Sequence, residues 1–272
     1  MTFGVRRIIN SINYRLIGPL TRREARNWSS KTDSSKTYQR LYRDLRSAHS
    51  ADEAARQVVG GGHFEGVGIV MREMLIHHGL GKNDYLIDVG CGSGRLAKPL
   101  ADYLAGRYLG IDVVPKLVEY ARELVPRPDW RFEVAGGLSI PEEDAKADMV
   151  CFFSVLTHLL HEQSFVYLRE AKRVLRPGGK IVLSFFDFRL ASHWAVFEGN
   201  IKDIGVGSQP LNAFLSPDTL RTWAQHLDLE VEMIKDGDEV YVPLSTPVTL
   251  DNAVVLKDRT AFGQSVCVLV RK

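Results

Sequence analysis

Seven consecutive residues, Asp88-Val89-Gly90-Cys91-Gly92-Ser93-Gly94, have the types and spacing to hold a ligand against bare backbone. Glycines at alternate positions let a chain turn tightly and approach a ligand where a Cβ would clash. A dinucleotide turn needs G-x-G-x-x-G/A, with its third small residue one helical turn further on; Arg95 stands at that place. The acid two residues before the first glycine suits a cationic ligand part, such as an amino group, better than a pyrophosphate. The spacing points to a different nucleoside cofactor.

A second set is His158 and Asp187, each just past an apolar run and so expected at the carboxyl edge of a sheet, where open α/β folds bind ligands. An imidazole can take a proton near neutral pH, and a carboxylate can orient it. The plainer alternative is that His158 caps the next helix and Asp187 is a solvated strand end. His161 and His193 are reserve bases, whereas His77 and His78 close a helix before Gly79, where the helix dipole favours them. No His, Asp and Glu cluster at metal-ligand spacing. Cys91, Cys151 and Cys267 lie in or beside apolar runs and form no CxxC, which argues for packing residues and against a disulfide framework.

The elements that must position these groups alternate between strand and helix from residue 84 onward, the pattern of a parallel α/β sheet. The apolar run before Gly90 reads as a buried strand, and a helix follows from about Arg95, with Pro99 in its first turns. Strands are expected at 108–111, 130–134, 149–155, 180–186, from Leu229 to Met233, and at 266–270. Helices are expected from about Pro115, over 162–175, and from Ser216-Pro217-Asp218, which has Ser as cap and Pro at the first helical position. Upstream, residues 1–20 form a basic amphipathic helix with Ile8, Ile9, Ile12 and Leu16 on one face. A polar loop covers 29–37, and three helices follow, carrying Tyr38 to Leu45, residues 51–59, and Val67 to Leu75. The segment 1–80 is thus a helical extension or cap, and 81–272 is the domain, with irregular inserts at about 187–215 and 235–264. Long inserts on a ligand side are usually functional loops.

At 272 residues, 45% hydrophobic and 25% charged, the composition is that of an ordinary globular chain. Its charge is uneven: residues 1–46 hold eleven Lys/Arg against three acids, a net +8 that leaves −6 for the rest. That asymmetry suits an anionic surface, a nucleic acid, or docking onto the acidic body. The first helix could pack on the domain, on a second subunit, or on a membrane surface. With no apolar run of membrane-span length and no signal-peptide pattern, the expected compartment is the cytoplasm.

The turn from Asp88 to Gly94 resembles motif I of the class I S-adenosylmethionine-dependent methyltransferases. The similarity continues through Asp112, through D-M-V-C-F-F-S-V-L-T-H-L from Asp148 to Leu159, and through L-R-E-A-K-R-V-L-R-P-G-G from Leu168 to Gly179. It implies a Rossmann-like, seven-stranded, mostly parallel sheet in the order 3-2-1-4-5-7-6, flanked by helices. It implies S-adenosylmethionine as cofactor, with Asp88, Gly90, Cys91, Gly92 and Gly94 around the turn. Asp112, with Val113 beside it, would accept hydrogen bonds from the ribose diol. Phe153 and Ser154 would flank the ligand, and His63 is placed as a cap over its methionine end. Where the family often has Asp-Ala for the adenine amino group, this chain has Gly136-Gly137 before Leu138, leaving Gly137 and Leu138 to hold adenine by backbone. The implied activity is methyl transfer to a small-molecule or glycan-like acceptor, at oxygen, with His158 as base, by a monomer or homodimer. A nucleic-acid or protein methyltransferase, or a non-catalytic binder of the cofactor, are the alternatives. Against nucleic acid, strand four ends Phe152-Phe153-Ser154-Val155, not N-P-P-Y, and the basic segment lacks interleaved aromatics.

Overall fold

The structure is a computed structural model that describes residues 34–60, 62–204 and 212–272. The amphipathic helix expected over 1–20, with its membrane or subunit contact, lies outside these residues. Strand β1 (Leu86–Val89) lies inside a seven-stranded sheet, parallel to β2 (Tyr108–Asp112) on one side and to β4 (Ala147–Phe152) on the other. Outside them lie β3 (Arg131–Val134), parallel to β2, and β5 (Leu175–Phe185), parallel to β4. The last strand, β11 (Ser265–Arg271), inserts antiparallel between β5 and β6 (Leu229–Lys235). The order β3-β2-β1-β4-β5-β11-β6 is the one expected.

Why β1 is buried throughout is visible in its neighbours. Leu86 faces a core with helix α3 (Phe64–His77), helix α4 (Ala97–Leu100) and helix α5 (Pro115–Leu124); Ile87 faces one with α6 (His161–Val174) and α8 (Pro217–His226). Both faces are covered, so its one polar residue, Asp88, must find its partners inside the protein. A third, smaller cluster joins α1 (Ser34–Ala48) and α2 (Ala51–Val58) to α5: Tyr38, Leu41, Ala55 and Val58 meet Val114 and Leu117. Local signals set these helices. Ser50 and Glu53 form a reciprocal capping box on α2, Pro115 opens α5, and the Ser216 hydroxyl accepts the Thr219 N–H at 3.1 Å ahead of α8.

Several expectations need correction. Helix α1 begins at Ser34, inside the stretch expected as loop. The helix after the glycine turn has only four residues, starting at Ala97. Strand β4 ends at Phe152 because Ser154 turns left-handed, with φ 59°. Strand β5 starts at Leu175, which pairs with Ala147 ahead of the Pro-Gly-Gly bend. The first insert holds a 13-residue helix, α7 (Ala191–Asp203), where no periodicity was evident. The second insert folds into two small antiparallel pairs, β7 (Val242–Pro243) with β10 (Arg259–Thr260), and β8 (Val248–Thr249) with β9 (Val255–Leu256). No described helix is long and apolar enough to cross a membrane.

Two helical glycines give opposite predictions. A Cβ at Gly68 in α3 would lie 2.2 Å from the Arg95 carbonyl oxygen, whereas one at Gly199 in α7 would meet nothing within 4 Å. Helix propensity favours alanine at either site by about 1 kcal/mol, but forcing backbones apart costs about 1–3 kcal/mol. In urea denaturation Gly68→Ala should lose about 1–2 kcal/mol, and Gly199→Ala should be neutral or gain up to about 1 kcal/mol. Equal effects at both positions would refute the close approach of α3 to the turn.

Candidate functional site

The turn between β1 and α4 is fastened to the end of β2. The N–H groups of Gly90 and Cys91 both donate to the Ile111 carbonyl, at 2.7 and 3.0 Å. The Asp112 carboxylate accepts the Gly92 N–H at 3.0 Å on one oxygen and the Val114 N–H at 2.9 Å on the other. Gly90 and Gly92 have φ of +77° and +54°, and their missing side chains leave space for neighbours. A Cβ at Gly90 would fall 2.4 Å from Val155, and one at Gly92 would fall 2.6 Å from Val59.

Above this turn opens a cavity of about 970 Å³. It brings together most of the residues named from sequence: Gly90 and Gly92 from the turn, Asp112 and Val113 from β2, and Gly137 and Leu138 after β3. Phe153, Ser154 and His158 reach it from the end of β4. His158 closes a short 3₁₀ turn, Leu156–His158, and the ring of Tyr38 meets it edge-on with centroids 5.4 Å apart. Burial raises the Asp112 carboxyl above its ordinary value, with the N–H groups of Val114 and Gly92 pulling it back.

Five expected site residues lie elsewhere. Asp88 is buried beneath the turn, where it accepts the Tyr108 hydroxyl at 2.8 Å and the Cys151 thiol at 3.5 Å, and it does not line the cavity. Cys91 is buried, with its thiol pushed far up by desolvation, as suits a packing residue. A Cβ at Gly94 would press on Ala121 at 3.2 Å, behind the turn. His63 exchanges hydrogen bonds with Asp251: its N–H donates to the carboxylate at 2.9 Å, and its Nδ1 accepts the Asp251 N–H at 3.0 Å. That pins the second insert to the start of α3, and His63 does not line the cavity. Asp187 is buried and paired with Arg189, which donates from its N–H at 3.0 Å and its guanidinium at 2.6 Å, so it does not orient His158. The reserve histidines are structural too. His193 accepts the Asp187 N–H on Nδ1 and sits 3.0 Å from the Gly263 carbonyl through Nε2, and His161 meets the Phe214 carbonyl at 3.1 Å.

Other residues enter the site unannounced. Gln264 donates to the Ser154 hydroxyl at 3.0 Å and accepts the Ser184 hydroxyl at 2.6 Å, while Ser184 accepts the Ser154 N–H at 2.8 Å. This closed set holds Ser154 in its left-handed conformation. Tyr167 donates to the Gly137 carbonyl at 3.0 Å and so fixes the bend after β3. Arg95 lines the cavity; its place after the third glycine was the available signal, used only to set aside a dinucleotide. Nothing in the local sequence marks Gln264.

An adenosyl cofactor fits these residues. Asp112 uses one lone pair on each oxygen for backbone, leaving acceptor capacity for a ribose diol. Gly137 has φ +81° and no side chain, and with Leu138 it offers backbone groups to a flat base. Among the described residues no group of three His, Cys, Asp or Glu could hold a metal ion.

Asp88 generates a test of this arrangement. Burial pushes its carboxyl up to about 6, from about 3.9 in an unfolded chain. The folded protein therefore binds more protons than the unfolded chain between about pH 4 and 6, and stability falls as pH rises through that window, by about 3 kcal/mol. Asp88→Asn should remove this loss, so urea midpoints of variant and wild type should diverge between about pH 4 and 6 and stay apart above it. Parallel pH profiles would show Asp88 to be solvated.

A family described as a methyltransferase domain matches residues 87–183. The 27-O-demethylrifamycin SV methyltransferase of Amycolatopsis mediterranei is 30% identical over 164 residues, which cover 59% of this chain and 59% of that protein. The ubiquinone biosynthesis O-methyltransferase of Xanthomonas oryzae pv. oryzae is 29% identical, over 54% of this chain and 63% of its own length. The chain thus spans less than two thirds of these relatives. Among solved structures, an S-adenosylmethionine-dependent methyltransferase from Thermotoga maritima superposes with a TM-score of 0.57 at 15% identity, covering 87% of this chain and 99% of that one. Another from Methanosarcina mazei gives 0.52 at 17% identity, over 72% and 96%. With the strand order, the glycine turn and the Asp112 contact already in place, these matches show a methyltransferase domain over residues 87–183, within a fold shared with S-adenosylmethionine-dependent methyltransferases.

Proposed function

We propose that this chain transfers a methyl group from S-adenosylmethionine to an oxygen of a small-molecule acceptor, with His158 as the base. The observation that carries this reading is the presence of the His158 imidazole in the same cavity as Asp112 and the glycine turn. Two relatives support the choice of oxygen and of a small acceptor, one named for 27-O-demethylrifamycin SV and one as an O-methyltransferase of ubiquinone biosynthesis.

When bound, the cofactor supplies a methyl group on a sulfonium, already activated toward displacement. What remains for the protein is positioning, exclusion of water and removal of a proton. Asp112 takes the ribose hydroxyls, and the bend at Gly137 and Leu138 takes adenine through its backbone. Tyr38 stands against the His158 ring and limits its rotation. The Nδ1 of His158 is buried, so the proton of the acceptor hydroxyl is taken at Nε2. Val155, Leu159, Phe186 and Val196 line the neighbouring wall and exclude water there.

Transfer of a labelled methyl group to a panel of phenols, sugars and lipids tests the activity directly. His158→Ala should leave S-adenosylhomocysteine affinity within about twofold while lowering turnover by about 10²–10⁴. Turnover at the wild-type rate in this variant would remove His158 from the mechanism. No transfer to any acceptor, in a protein that binds the cofactor, would favour a binder without catalysis.

A further inference from the structure

Arg95 follows the third glycine of the turn and lines the cavity. Burial draws its guanidinium down to about 10, against the pull of Asp88. Neighbouring cations are matched: Arg56 pairs with Asp52 at 2.9 Å and Glu65 at 3.6 Å, and Lys98 pairs with Glu65 at 2.6 Å. Arg95 has no such partner among the described residues. Asp88, whose field reaches it, gives its two oxygens to Tyr108 and Cys151. Gly60, with φ +95°, stands beside the guanidinium: a Cβ there would lie 3.8 Å from Nη1, an ordinary contact distance.

A partly desolvated cation with no carboxylate in contact costs stability, and a ligand anion would offset that cost. Its planar fork matches a carboxylate, which it can bind through two parallel hydrogen bonds. Sheet order says which end of the ligand that carboxylate occupies. Along the carboxyl edge, β3, β2 and β1 are neighbours, so Gly137, Asp112 and Gly90 follow one another in space. With adenine at the first and ribose at the second, the third holds the amino-acid end.

We propose that Arg95, beside Gly60 at the end of the glycine turn, is the binding site for the carboxylate of the cofactor's amino-acid end. The assignment rests on the cavity being the cofactor site, as proposed above.

Calorimetric titration of the full chain with two ligands separates the possibilities. S-adenosylhomocysteine carries the amino acid, and 5′-methylthioadenosine keeps the nucleoside and the thioether without it. Arg95→Met should weaken S-adenosylhomocysteine by about tenfold to a hundredfold and 5′-methylthioadenosine by no more than about twofold. Equal weakening of both ligands would make Arg95 a residue that only shapes the turn, and unchanged affinity for both would leave it no role; either result overturns the proposal. Arg95→Lys keeps the charge but not the fork, and serves if the Met variant does not fold. A loss confined to S-adenosylhomocysteine then supports the proposal, and an equal loss, or none, overturns it. Wild-type protein that binds neither ligand would instead overturn the cofactor reading on which the proposal rests.

Discussion

One carboxylate ties the glycine turn to the sheet. Asp112 accepts the Gly92 N–H and the Val114 N–H, while the carbonyl just before it, on Ile111, takes the N–H groups of Gly90 and Cys91. Four backbone donors near the ends of two strands are thereby satisfied without a ligand, and the turn is held before anything binds. Such preorganisation spares a ligand the entropy of ordering the loop. The glycines matter in the same way. Val155 and Val59 occupy the volumes that side chains at Gly90 and Gly92 would need, so the turn is shaped from outside as much as by its own dihedrals.

Charge is placed around that turn in layers. Asp88 lies beneath it, capped by a phenol and a thiol, and Asp112 lies at its rim. Arg95 lies at its far end, with Asp88 as the source of its stabilising field. Over the top come α1 and α2, held by Tyr38, Leu41, Ala55 and Val58 against the start of α5. Tyr38 serves twice, packing in that cluster and standing against His158. Electrostatic interactions in such a partly desolvated space are stronger than they would be in water.

The parts of this arrangement that local rules govern were legible in the amino-acid sequence. Alternation of apolar strands with capped helices marks β1, β2, α5 and α8, and the D-x-G-x-G-x-G spacing marks the turn. Side-chain direction was not legible. Asp88 and Asp112 both border the turn, yet pleating sends Asp88 into the core beside Tyr108 and leaves Asp112 at the edge. His63 and Asp187 carry the right chemistry for a site, but His63 is engaged by Asp251, 188 positions away, and Asp187 by Arg189, two positions on, which the fold brings against Asp236. Helix α7 escaped notice because its stabilising contacts are tertiary. Trp194 and Phe197 pack on Phe188 and Phe214, and its first turn is anchored through His193 to Asp187 and Gly263. Gln264 is invisible for the same reason, since its role exists only once β11 lies beside β5.

On this reading the cavity above Asp112 holds the adenosyl cofactor. A crystal structure of the protein with S-adenosylhomocysteine tests it most directly. Both ribose hydroxyls should lie within hydrogen-bond distance of the Asp112 carboxylate, with adenine against Gly137 and Leu138. A ligand bound elsewhere, or a ribose turned away from Asp112, would contradict it.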